Sequence, residues 1–126
     1  MGLVESLLEH IHWTRGRGIG GYDKYKLFES KLLKCDAYLL YYRQGSQVKP
    51  HYDKAPLDDH EHHRVNIELV RPEQGGSFKY VKRGDKTVWF GKHRVVRFRP
   101  DEVRHWITPI ARGYRLVLSF GWLQRR

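Results

Sequence analysis

The sequence predicts a mainly β domain, built as two antiparallel sheets or a barrel. Three observations carry this. From Ala37 onward, short aromatic and β-branched runs are punctuated by Gly, Pro, Asp and Asn. No helical spacing interrupts those runs. The chain has 126 residues, of which 40% are hydrophobic and 30% charged, which fits one globular domain with a core of its own.

Taken in order, Leu3, Val4, Leu7, Leu8 and Ile11 fall at helical spacing, with Glu5 and Glu9 on the other face. Residues 3–13 therefore predict a helix. Gly16, Gly18, Gly20 and Gly21, with Arg15 and Arg17 between them, break it. No strand precedes this run and no Gly-Lys-Ser/Thr follows, so it reads as a loop rather than a phosphate cradle. Residues 22–34 predict a second helix, with Tyr25, Phe28, Leu32 and Leu33 as its apolar stripe. Residues 1–36 are thus expected as helical support for a β core at 37–123. Strands are expected near 37–43, 47–52, 63–70, 76–82, 86–90, 94–98, 103–107 and 113–122. Gln124, Arg125 and Arg126 read as a solvated end.

Lys and Arg total 24 against 14 Asp and Glu, a formal net charge of +10. Such a balance favours acidic partners, nucleic acid among them. Basic residues gather at Lys79, Lys82, Arg83 and Lys86, at Lys92, His93, Arg94, Arg97 and Arg99, and at Arg125 and Arg126. They form either a nucleic-acid surface or solvated hairpin faces over a core holding Trp89 and Phe90. The second reading is preferred, because no zinc-finger, helix-turn-helix or RNA-binding signature is present. One cysteine, Cys35, excludes an intrachain disulfide framework and points to a reducing, cytoplasmic location. No apolar run approaches the roughly 18 residues of a membrane span. The N-terminal stretch, carrying Glu5, Glu9 and His10, is not a secretory signal.

The chemistry centres on His51-Tyr52-Asp53. In a strand, residues i and i+2 share a face, so an imidazole and a carboxylate project side by side. His105 lies 52 residues beyond Asp53. Two histidines and one carboxylate make the facial ligand set of non-heme Fe(II) oxygenases. Arg115 follows ten residues later, in the apolar run 113–120, and no acidic residue follows Glu102. A guanidinium there needs a partner. The candidates are a bound dicarboxylate held bidentately, an ion pair to Asp53, Glu68 or another acid, or water. His60, His62 and His63 follow Asp58 and Asp59. They form a second metal site or part of a lid over residues 53–62, and the lid is the better reading. His10 and His12 sit on different helix faces and do not chelate. Asn66 and Glu68 are candidates to point inward.

The segment from Tyr38 to Asp53, with Gln44-Gly45 before Pro50-His51-Tyr52-Asp53, resembles the active-site entry of Fe(II)/2-oxoglutarate-dependent oxygenases of the prolyl 4-hydroxylase-like group. Gly75-Gly76-Ser77-Phe78 is similar to that family's Gly-Gly-x-x-x-Phe strand start. His105-Trp106-Ile107-Thr108-Pro109-Ile110, continued by Gly113-Tyr114-Arg115, resembles its distal block. The resemblance covers residues 37–123 and implies a double-stranded β-helix, a jelly roll of two antiparallel sheets with N-terminal helices packed on one side. It implies that His51, Asp53 and His105 bind Fe(II), that Arg115 pairs with the distal carboxylate of 2-oxoglutarate, and that Tyr42 hydrogen-bonds the same group. Tyr41, on the opposite face, is expected in the core. It further implies hydroxylation of a C–H bond by O2, coupled to decarboxylation of 2-oxoglutarate to succinate, with no separate acid–base residue. The expected substrate is a protein or peptide side chain. The alternatives are a nucleic-acid base, or a non-catalytic binding module that keeps the triad. The chain departs from the family at Trp106, where many relatives carry Glu. It departs again at Val117, where some carry Ser, with Ser119 four residues past the Arg. Its N-terminal region is short for the family.

Overall fold

A computed structural model of the chain describes residues 2–16, 21–81 and 94–126, and the backbone of 89–90. One helix, α1 (Leu3–His10), opens it. Twelve strands follow: β1 (Thr14–Arg15), β2 (Asp23–Ser30), β3 (Cys35–Tyr42), β4 (Val48–His51), β5 (His60–Val70), β6 (Gln74–Gly75), β7 (Phe78–Val81), β8 (Trp89–Phe90), β9 (Val95–Phe98), β10 (Arg104–Ile107), β11 (Ile110–Arg112) and β12 (Arg115–Arg125). All pairings are antiparallel. Seven strands form one sheet in the order β1-β2-β3-β12-β5-β9-β8. The opposing layer is the three-stranded sheet β4-β10-β7, continued by the ribbon β11-β6. The two pieces are joined across a kink, where Thr108 donates to the Ser77 carbonyl and Gly76 to the Pro109 carbonyl, at 3.0 and 3.1 Å.

That kink explains Gly75 in the motif. Its φ is +78°, and a Cβ there would lie 2.1 Å from the Pro109 carbonyl oxygen. Only a residue without a side chain lets the two backbones approach so closely.

The core lies between the layers. Leu40, Tyr42 and Val117 on the large sheet meet Val48, Ile107 and Ile110 on the other. Alternation sets this, because Tyr38, Leu40 and Tyr42 of β3 face inward beside Arg115, Val117 and Ser119 of β12. Tyr41 faces the other way. It is half-buried outside the central core, against Trp13 and Tyr114, and Tyr114 in turn donates to Glu5 of α1.

The second helix expected at 22–34 is a strand instead. β2 pairs with β3 along most of its length, from Asp23↔Tyr41 to Ser30↔Cys35. A bulge between Lys26 and Phe28 puts Tyr25 opposite Leu39 and Phe28 opposite Ala37, so both lie on one face despite their spacing of three. The bulge thus imitates a helical stripe in the sequence. Those side chains bury little: Leu32 and Leu33 are 87% and 72% exposed. Among the described residues, the support expected at 1–36 is therefore one helix, two strands and the start of β3. β6 and β11 were not expected either. The strand expected at 86–90 contains β8, while 86–88 lie outside the described residues, as do Arg17, Gly18 and Gly20.

Candidate metal centre

β4 ends at His51, and β10 runs beside it with His105 directly opposite. Asp53 follows two residues later, on the side that alternation gives it. Its backbone is pinned twice. The amide donates to the Pro100 carbonyl at 2.8 Å, and the carbonyl accepts from His62 Nδ1 at 3.1 Å. The side chains converge: Nε2 of His51 and Nε2 of His105 each lie 3.4 Å from Asp53 Oδ2.

Each imidazole is fixed through its other nitrogen. His51 Nδ1 donates to the Lys49 carbonyl at 2.7 Å, and His105 Nδ1 to the Val103 carbonyl at 2.8 Å. A carbonyl only accepts, so Nδ1 carries the proton and Nε2 of the neutral ring offers its lone pair to the centre. Burial alone would raise the Asp53 carboxyl. Where the rings also carry a proton on Nε2, hydrogen bonds and positive charge from His105 and His51 outweigh it and hold the group well below the usual carboxylate range. The result is two nitrogens and one anionic oxygen within 4.8 Å of one another. That donor set fits Fe(II) in a site with open positions. Among the described residues, no other cluster of three or more such side chains has this closeness.

The triad opens on a cavity of about 210 Å³, lined by Leu40, Tyr42, Val48, Phe78, Phe98 and Ile107 among others. This is smaller than the roughly 300 Å³ at which drug-sized sites begin, so it suits a small acid. The Phe98 ring stands edge-on to His105 with centroids 4.9 Å apart, which shields the ligand from water. Trp106 also borders the cavity.

Tyr42 is 4% exposed, and burial pushes its phenol up, partly offset by the nearby Arg115. The Arg115 guanidinium sits 4.7 Å from the centre of the Tyr42 ring. Arg115 itself is 2% exposed and does not line the metal cavity. Its Nε donates to Glu68 Oε2 at 2.9 Å. Of the partners open to it in sequence, Glu68 is the one it takes here.

Sequence reasoning missed Lys24, Tyr38 and Arg64, which also line the cavity. Arg64 donates to Ser119 Oγ at 2.9 Å and pairs with Asp36, and Ser119 donates to Asn66 Oδ1 at 2.6 Å. Asn66 therefore does point inward. Ser119 shares the Arg115 face but serves Arg64. Gly121 makes the seat, since a Cβ there would lie 2.0 Å from Arg64 Nη2. The available signal was alternation, because Arg64 stands two before Asn66. Lys24 was hidden by the helical reading of its segment.

His60 and His62 open β5 rather than sitting in a loop. His60 binds Asp59 at 2.7 Å, His63 binds Glu61 at 3.0 Å and stacks on Trp122, and burial lowers the His62 imidazole below its ordinary value. Of the basic clusters, Arg99 is neutralised by Asp101, Glu102 and Glu61, and Arg97 lies over Trp122. Lys82, Arg83, Lys86, Lys92 and His93, and the side chains of Trp89 and Phe90, lie outside the described residues.

No protein-family model matches the chain, and no curated protein matches it. Solved structures do. A Pseudomonas putida prolyl-4-hydroxylase superposes with a TM-score of 0.64 at 18% identity, over 98% of this chain and 82% of that one. HygX from Streptomyces hygroscopicus, solved with nickel and 2-oxoglutarate bound, gives 0.57 at 16%, over 97% and 76%. A cupin protein from Ralstonia eutropha gives 0.55 at 11%, over 90% and 63%. The shared property is the fold, a double-stranded β-helix, and one fold hosts many chemistries.

Proposed function

We propose that the chain is an Fe(II)- and 2-oxoglutarate-dependent oxygenase of the prolyl 4-hydroxylase-like group. The observation that carries this is the triad His51, Asp53 and His105, with both Nδ1 protons committed to carbonyls and both Nε2 lone pairs turned to one carboxylate. Bound Fe(II) would supply oxidation of a substrate C–H bond by O2, coupled to decarboxylation of 2-oxoglutarate to succinate. The chain's own part is different. The three side chains hold the metal, the Nδ1–carbonyl bonds fix their orientation, and Phe78 and Phe98 keep the pocket dry. Tyr42, and Arg115 beside it, would take the co-substrate's distal carboxylate.

The likeness to a prolyl-4-hydroxylase supports a protein or peptide side chain as substrate. The net charge of +10 supports a second reading, a nucleic-acid base under the same chemistry. Anaerobic titration with Fe(II) and 2-oxoglutarate tests the common part. A weak visible charge-transfer band that is absent in His105→Ala is expected. Metal binding without the band would leave the jelly roll as a binding module. Succinate release stimulated by peptide but not by oligonucleotide would decide between the substrates.

A further inference from the structure

Glu68 is shared between two arginines. Its Oε2 accepts from Arg115 Nε at 2.9 Å, and its Oε1 accepts from Arg71 Nε at 3.0 Å. The arginines differ in setting: the Arg115 side chain is 3% exposed and that of Arg71 is 61%. Arg115 still has unmet capacity, because its buried Nη1 has no hydrogen-bond partner among the described residues. Arg115 and Glu68 border a second cavity, which shares only Asn66 and Phe78 with the one that holds the triad.

We infer that Glu68 sets the affinity of the co-substrate site, by holding Arg115 as a resident carboxylate that 2-oxoglutarate must displace. This rests on the function proposed above. A buried guanidinium needs an anion in the absence of ligand, and Glu68 provides it. An arriving carboxylate meets a neutralised pair and a like charge beside it, so binding is weakened. Arg71 completes the exchange. Already bound to Oε1, it keeps Glu68 paired at the solvent edge when Arg115 turns to the ligand's distal carboxylate through Nη1.

The test is calorimetric titration of 2-oxoglutarate into the Mn(II)-loaded protein, with melting of the metal-free protein alongside. Glu68→Gln keeps the shape and removes the charge. It should bind 2-oxoglutarate about tenfold tighter, with Mn(II) affinity unchanged and a lower Tm without ligand. Arg71→Ala leaves Glu68 wholly on Arg115 and should bind several-fold weaker. It tests the same idea if Glu68→Gln does not fold. Equal or weaker binding by Glu68→Gln, or no effect of Arg71→Ala, overturns the inference while the oxygenase reading stands. An Arg115→Ala variant that binds 2-oxoglutarate like the parent removes the co-substrate site itself, and this inference with it.

Discussion

At the residue scale, the two metal-facing histidines use the same device. Each donates Nδ1 to the carbonyl two residues upstream, Lys49 for His51 and Val103 for His105. A strand offers that carbonyl locally, so ring orientation needs no distant partner. Replacing any of His51, Asp53 or His105 by Ala should lower Fe(II) affinity by at least about 100-fold, with the far-UV β spectrum retained. Parent-like metal binding in all three variants would end the assignment. His62 gives a pH signature. Burial holds its imidazole below the ordinary 6.5 in the folded state. The unfolded chain therefore takes up more protons just below that pH, and stability falls as the pH drops there. His62→Gln, which keeps a donor for the Asp53 carbonyl, should flatten that slope in urea titrations at stepped pH. The triad was legible in sequence because a spacing of two on a strand is a geometric statement. The environment of Arg115 was not, because the sequence favoured an acid or water over a bound ligand but did not choose among Asp53, Glu68, other acids and water. Only the register of β5 against β12, which sets Glu68 opposite Val117, brings that acid close.

At the scale of elements, irregularities decide what the sequence reveals. Register shifts interrupt β2–β3, β4–β10, β6–β11 and β5–β12. Strands with unbroken alternation, such as β3, were readable close to their ends. β2 was not, because one extra residue moves Phe28 into phase with Tyr25 and counterfeits a helix. Two-residue strands such as β6 have no periodicity to read. Gly75 is the element whose substitution should matter most. Gly75→Ala imposes both a positive φ and a clash with the Pro109 carbonyl, and should destabilise by more than about 2 kcal/mol. Leu32→Ser, in the exposed β2–β3 turn, should stay within about 0.5 kcal/mol. Denaturant melts that rank the two variants the other way would show that the kink is not held as described.

For the whole molecule, ligand and fold are linked, because the triad joins β4, β10 and the segment after β4. Metal with 2-oxoglutarate at about 100 times its Kd adds roughly 2.7 kcal/mol to stability. For a domain of this size that is on the order of 10 °C in Tm. A melt that is flat on adding both, at concentrations shown to saturate, would mean that neither binds the folded state. The order of the large sheet has a further consequence during synthesis. β12 lies between β3 and β5 and follows both in the chain, after every other described strand. A nascent chain on the ribosome therefore carries β3 and β5 with open edges until residues 115–125 emerge. Those edges invite pairing with other chains. Joining of β3 to β5 thus waits for residues 115–125, and a translation product stopped after Tyr114 should depend on chaperones and be degraded, although it already contains all three metal-facing side chains.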